Sequence, residues 1–136
     1  MKTWPFTPSP TGTEIDKAGL NNGNLYGVRV TGLASDLEVS GSFPAANTPF
    51  TLVSLGNVSN LTGAQLQTNS VAAGITQFLR PEDASWDPSN PNDLYFVTTN
   101  AFTAPSRMWR LHFTDILNPQ AGGTITAVLD GSEVAG

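Results

Sequence analysis

Leu94-Tyr95-Phe96-Val97-Thr98-Thr99 and Met108-Trp109-Arg110-Leu111-His112-Phe113 decide how this chain folds. The first is an unbroken run of β-branched and aromatic residues, the side chains that suit a pleated, half-buried surface. The second puts Trp109, Leu111 and Phe113 on one face and His112 on the other, the period-two signature of a strand. Working outward, Ala84-Ser85-Trp86 reads as a short strand, joined to the first run by the turn Asp87-Pro88-Ser89-Asn90-Pro91-Asn92-Asp93. Asn100 to Ser106 reads as a loop, as does Asn118 to Gly123, where Gly122-Gly123 has the character of a hairpin turn. Thr124-Ile125-Thr126-Ala127-Val128-Leu129 is the last strand, closed by Asp130-Gly131. Four sequential strands between positions 84 and 129, with no helix among them, have the size of one blade of a β-propeller. A sandwich or a small meander would give the same string of strands.

Further from this centre, Leu25-Tyr26-Gly27-Val28-Arg29-Val30 and Phe50-Thr51-Leu52-Val53-Ser54-Leu55 read as two more strands, the outer half of a preceding blade. The expected fold is therefore all-β, about one and a half propeller-like blades of antiparallel strands over 25–136. Residues 1–24 form an irregular N-terminal segment with one short extended piece. Asn21-Asn22-Gly23-Asn24 signals a turn, because Asn and Gly tolerate positive φ. Pro44 to Thr48 is a loop. Between 59 and 74 the sequence predicts one or two short helical turns, capped by Ser59 or Asn60 and ended by Gly74, with Gly63 and Thr68-Asn69-Ser70 weakening them.

Composition narrows the function classes. Charged residues make up 12% of the 136 positions, about half the usual share. The net charge is −5, and only 6 residues are basic, none adjacent to another. Nucleic-acid binding needs clustered Lys and Arg, so that class is disfavoured. With no cysteine, disulfides, thiolate catalysis and Cys-bound zinc are excluded. No apolar run approaches the ~20 residues of a membrane span. Met1 to Phe6 lacks a basic region followed by an apolar stretch, so no signal peptide is expected within this chain.

Several blocks carry a family resemblance. They are Phe78-Leu79-Arg80-Pro81-Glu82-Asp83, then Trp86-Asp87-Pro88, then Asn90 to Thr99, then Ser106 to Phe113. Asn118-Pro119, Gly122-Gly123-Thr124-Ile125 and Leu129-Asp130-Gly131-Ser132-Glu133 follow in order, and Asn57 to Leu66 resembles the region just upstream in bacterial, especially cyanobacterial, members. Over roughly 25–133 the chain resembles the PhoX-like alkaline phosphatase family. The resemblance implies a β-propeller whose central channel holds calcium and iron and hydrolyses phosphate monoesters, with export to the periplasm or beyond. It also implies that Glu82, the acid of the Arg-Pro-Glu block, is a metal ligand. Members of that family are several times longer, and characterised members use a cysteine as an iron ligand that this sequence lacks. The full site is not expected from this chain alone.

Read as chemistry, Glu82 precedes the short strand at 84–86, and the first strand of a propeller blade lines the channel. A carboxylate there suits calcium, which prefers oxygen ligands, or iron; an exposed loop acid is the plainer reading. Asp83 is the second candidate metal ligand. Arg80 offers a guanidinium for a substrate phosphate, or an ion pair with Asp83 or Asp87 that fixes the loop. Asp83, Asp87, Asn90, Asn92 and Asp93 concentrate oxygen donors but lack the Gly and distal Glu of an EF-hand loop, and Asx turns account for them. Asn100 reads as a strand-ending turn. His112, the only histidine, reads as a partly exposed strand residue, and no catalytic triad or Gly-x-Ser-x-Gly nucleophile is expected around it or Ser106. Asn57-Val58-Ser59 and Asn60-Leu61-Thr62 match glycosylation sequons, a match that Asn/Thr-rich chains give by chance.

Three functions follow from these readings. One is a segment of a secreted, metal-dependent phosphomonoesterase, inactive alone. Another is a non-catalytic propeller piece, structural or binding, that pairs with itself or with other chains through open sheet edges. The third is a small stand-alone β domain that uses calcium for stability only.

Overall fold

The run that decides the fold becomes the centre of a six-stranded antiparallel sheet. The computed structural model describes residues 12–17, 23–38, 44–100 and 106–131. Its strands are β1 (Leu25–Val30), β2 (Thr48–Gly56), β3 (Pro81–Trp86), β4 (Asp93–Thr98), β5 (Arg107–Phe113) and β6 (Gly123–Leu129). They lie in the order β1-β2-β6-β5-β4-β3. The protein is all-β, with a propeller-like curl to the sheet. The meander β3-β4-β5-β6 has the strand count of one blade, and β1 and β2 continue the same sheet by pairing β2 with β6 rather than standing apart.

Alternation along β5 sets the two faces. Arg107, Trp109, Leu111 and Phe113 are buried, while Met108, Arg110 and His112 are half-buried on the other side. The apolar face joins Trp109, Leu111 and Phe113 to Ile125 of β6, Phe50 of β2 and Val30 of β1, with Leu33 from the following loop. Leu94, Phe96, Phe78 and Ile116 close over this cluster. The rings meet mostly edge to face, the arrangement that their quadrupoles favour. Phe50 and Phe113 are 5.3 Å apart between centroids, and Phe78 lies 5.1 Å from Phe96 and 5.5 Å from Trp109. Trp109 is fully buried, and its indole N–H donates to the Thr98 hydroxyl at 3.1 Å, so the one polar atom of its ring is paired.

The helix differs from expectation. Residues Gly63–Ala72 form a single ten-residue helix, with Thr62 as N-cap in place of Ser59 or Asn60. The cause is a capping box: the Thr62 hydroxyl accepts from the Gln65 amide at 3.2 Å, and the Gln65 side chain accepts from the Thr62 amide at 2.9 Å. Two reciprocal bonds at the first turn outweigh the cost of Gly63 at the first helical position. Gly74, with φ +68, ends the helix as expected. None of the helix's residues is buried, so it adds nothing to the core. A second short helix, Glu14–Lys17, lies in the segment read as irregular. Asn21 and Asn22 of the expected turn, most of the Asn100–Ser106 loop, and Ser132-Glu133 fall outside the described residues.

Strand limits also move. β2 starts two residues before Phe50, and β3 starts at Pro81 rather than Ala84. A bulge between Pro81 and Ala84 lets Glu82 and Asp83 share the space opposite β4, so both acids lie within the strand instead of ahead of it.

The two outer edges of the sheet are treated differently. Along β1 runs the segment after the helix: the Thr76 amide donates to Val28 O at 3.0 Å, and the Val30 amide donates to the Thr76 hydroxyl at 2.9 Å. The Thr76 hydroxyl in turn donates to Leu33 O at 2.8 Å. Gly27 is required here, because a Cβ would stand 2.2 Å from Ile75 Cδ1. β3 is the last strand of the sheet among the described residues, and all six of its residues are exposed.

Candidate functional site

The site begins with a strained backbone. Arg80 precedes a proline, a position that favours extended conformations, yet its φ is +42. A non-glycine residue in that region costs on the order of 1 kcal/mol or more, and such strain concentrates at functional positions. The turn brings the chain round so that Arg80 O accepts from the Thr99 amide at 3.3 Å and the guanidinium returns over β3. There Arg80 Nη2 lies 3.7 Å from Glu82 Oε1. The same Glu82 oxygen accepts from the Thr99 hydroxyl at 2.8 Å. Arg80, Glu82 and Thr99 thus form one corner at the start of the edge strand. Arg80 is 69% exposed and Glu82 45%, so both remain accessible.

Arg80 therefore does not pair with Asp83 or Asp87, as the loop-fixing reading expected; its partner is Glu82. The left-handed backbone at Arg80 accompanies this pairing, with the guanidinium turned back to the acid two residues on. Asp83 lies beside a shallow groove of about 190 Å³, lined by Ser85, Tyr95, Val97 and Met108 on the face of the sheet away from the core.

Oxygen donors in the turn before β4 are held by one another. Asp87 Oδ1 accepts from the amides of Ser89 at 2.7 Å and Asn90 at 3.3 Å, and Asn90 Oδ1 accepts from the Asn92 amide at 3.3 Å. Asn92 Oδ1 accepts from the Ile116 amide at 3.0 Å. These are Asx turns and loop ties. Asp93 is buried beneath them. It accepts from the Asn90 side-chain amide at 3.0 Å and meets His112 Nδ1 at 2.6 Å. The register pairs Asp93 directly with His112 across β4 and β5, which places an acid and an imidazole side by side on the outward face. The His112 side chain is 43% exposed and that of Asp93 8%.

Sequence reasoning placed His112 on the correct face but missed its acid. It also missed Thr99 as the hydroxyl that holds Glu82. A third group escaped it: Asn47, at φ +60, takes a bond from Arg110 Nη2 at 3.3 Å, and its amide donates to the Thr126 hydroxyl at 2.9 Å. Alternation along β5 was the available signal for the face of His112, while its partnership with Asp93 depends on the register of β4 against β5. Nothing in the sequence signals the other two, because they depend on a left-handed residue at 80 and at 47.

As a metal site, the Arg80–Glu82–Thr99 corner has donors of the right kind and few of them. Calcium takes six to eight oxygens, and this corner offers a carboxylate and a hydroxyl, with Asp83 one residue on. Among the described residues, no group of three or more His, Cys, Asp or Glu gathers as a metal centre. No described helix is long and apolar enough to cross a membrane. Comparison of the chain with protein-family models, with curated proteins and with solved structures finds no match in any of the three.

Proposed function

We propose that this chain is a site-bearing segment of a secreted, metal-dependent phosphomonoesterase of the PhoX-like kind, inactive until further elements complete the site. The observation that carries this reading is the strained Arg80, turned back against Glu82 at the exposed start of edge strand β3. In a propeller, that strand is the one that lines the channel. Glu82 would hold calcium, or contribute to iron, with Asp83 as a further ligand. The metal's chemistry would be to polarise the phosphoryl group and activate the attacking oxygen. Thr99 orients the Glu82 carboxylate. Arg80 has donors to spare beyond Glu82, and a planar guanidinium can take two phosphate oxygens at once. A second reading, a non-catalytic module that pairs with another chain, is favoured by one specific observation: among the described residues the edge of β1 is covered, while β3 is the last strand of the sheet.

Light scattering with and without a chelator, together with elemental analysis, tests the first reading. Oligomers that carry calcium or iron, dissociate on chelation and lose metal in Glu82→Gln are the expected result. A metal-free monomer overturns it. An oligomer indifferent to chelation and to Glu82→Gln transfers support to the second reading.

A further inference from the structure

Two side chains on the outward face of β5 have hydrogen-bonding capacity left over, and of opposite kinds. Register sets Arg110 opposite Thr126 and His112 opposite Thr124, so these four share the face away from the core. Arg110 Nη2 donates to Asn47 Oδ1 at 3.3 Å, and its Nε is buried with no partner. A guanidinium has five N–H donors and a charge that it cannot lose. Asn47 is neutral, and the ion pairs among the described residues are Arg80–Glu82 and His112–Asp93. Arg110 is therefore oriented without being neutralised, by an asparagine at φ +60 that is itself tied to Thr126. His112 is oriented from the side of β4. An ionised carboxylate only accepts, so the imidazole Nδ1 carries the hydrogen that meets Asp93 at 2.6 Å. In the neutral ring Nε2 is then an acceptor, on a side chain that is 43% exposed. Asn90 also donates to Asp93, so that acid is spent behind the imidazole. Half-buried Thr124 adds a hydroxyl that can donate or accept. Arg110 and His112 stand about 7 Å apart along the strand. One ligand that satisfies both needs an oxyanion for the guanidinium and, close to it, a hydroxyl hydrogen for Nε2. A carboxylate matches the planar fork of the first, and a hydroxyl on the neighbouring carbon supplies the second.

We propose that this face binds a small α-hydroxy acid, with its carboxylate on Arg110, its hydroxyl donating to His112 Nε2 and the Thr124 hydroxyl beside it. Asp93 opens β4 and Thr99 follows its last residue, so the site lies towards the opposite end of that strand from the Glu82 corner. It depends on neither reading above.

The test is a titration of the full chain, followed by heteronuclear NMR, with glycolate, with acetate, which lacks the hydroxyl, and with inorganic phosphate. Saturable shifts at the amides of Arg110, His112, Thr124 and Thr126 are expected with glycolate. Acetate is expected to bind about tenfold more weakly, the worth of one hydrogen bond. His112→Phe is expected to reduce glycolate to the affinity of acetate and to leave acetate unmoved, a split that the loss of a merely structural ring would not produce. Arg110→Gln is expected to abolish binding of both acids, and Arg110→Lys, which keeps the charge and loses the fork, to weaken both. Circular dichroism checks that each variant folds, and the His112→Phe comparison stands if Arg110→Gln does not. Acetate as tight as glycolate, or an equal loss of both in His112→Phe, overturns the hydroxyl contact and with it the proposal. Phosphate as tight as glycolate overturns the hydroxy acid as the ligand class. No saturable shift in wild type, or shifts away from β5 and β6, overturns the site.

Discussion

Replacing Thr98 by Val would remove one oxygen from the centre of the core and change almost nothing else. Thr98 is 1% exposed and Trp109 is fully buried, and the Thr98 hydroxyl is the acceptor for the indole N–H at 3.1 Å. Val has the shape of Thr, so no cavity opens. What remains is a buried N–H with no partner and no water, a loss of about 1–3 kcal/mol. At about 2.1 cal/mol/K of unfolding entropy per residue, 136 residues give roughly 0.3 kcal/mol per kelvin, so a 2 kcal/mol loss lowers Tm by about 7 °C. Thr98→Ser keeps the oxygen and loses one methyl, about 1 kcal/mol. Urea and thermal unfolding followed by far-ultraviolet circular dichroism should rank wild type above Ser above Val. The cause is checked by repeating Thr98→Val in a Trp109→Phe background, where no indole N–H exists; there the substitution should cost less than about 1 kcal/mol. If Thr98→Val is as stable as wild type, or costs the same in both backgrounds, the orphaned donor is not what this position protects against.

Other substitutions probe the frame and the corners. Gly123→Ala would set a Cβ 1.9 Å from His112 O, which is backbone and has no room to yield. It should cost about 3 kcal/mol or more and lower Tm by about 10 °C, read by thermal melts. Thr62→Ala removes half of the capping box and should weaken the helix by about 1 kcal/mol, seen as faster amide exchange at Gln65, whose acceptor is lost. Asp93→Ala strips both His112 and the Asn90 amide of a buried acceptor and should cost about 1–3 kcal/mol. His112→Ala, at an exposed ring, should cost less than about 1 kcal/mol by denaturant titration; equal losses would show that the pair itself, not the turn it anchors, stabilises this end of the sheet.

The strands from β4 to β6 were legible because alternation and β-branching agree along them, and Trp109, Leu111 and Phe113 mark the buried face without ambiguity. The beginning of β3 was not, because Pro81-Glu82-Asp83 has the composition of a loop and becomes strand only through pairing with β4 around a bulge. The helix was underread for a similar reason: Gly63 looks like a breaker, while a capping bond three residues long makes it the first helical residue. At the candidate site, the residue types at 80, 82 and 83 were legible. Their partnership was not, since it hangs on one backbone angle at Arg80 that proline-preceding residues rarely adopt. The acid behind His112 follows from register, which the local sequence does not specify when the connecting loop is long.

The joint between β2 and β6 has a consequence for how the chain reaches its fold. It consists of three residue pairs, Thr48 with Ile125, Pro49 with Thr124 and Phe50 with Gly123, the last spanning 73 positions of chain (50 to 123). Every other strand pairing joins sequence neighbours. Loop-closure entropy is spent before distant pairs return anything, so near neighbours pair first. The meander and the β1–β2 hairpin should therefore condense as separate units, and Phe50 should meet Phe113 and Ile125 only in the last step. The same three pairs are where the native molecule would part first, dividing it into an opening half and a persisting half well before either one unravels.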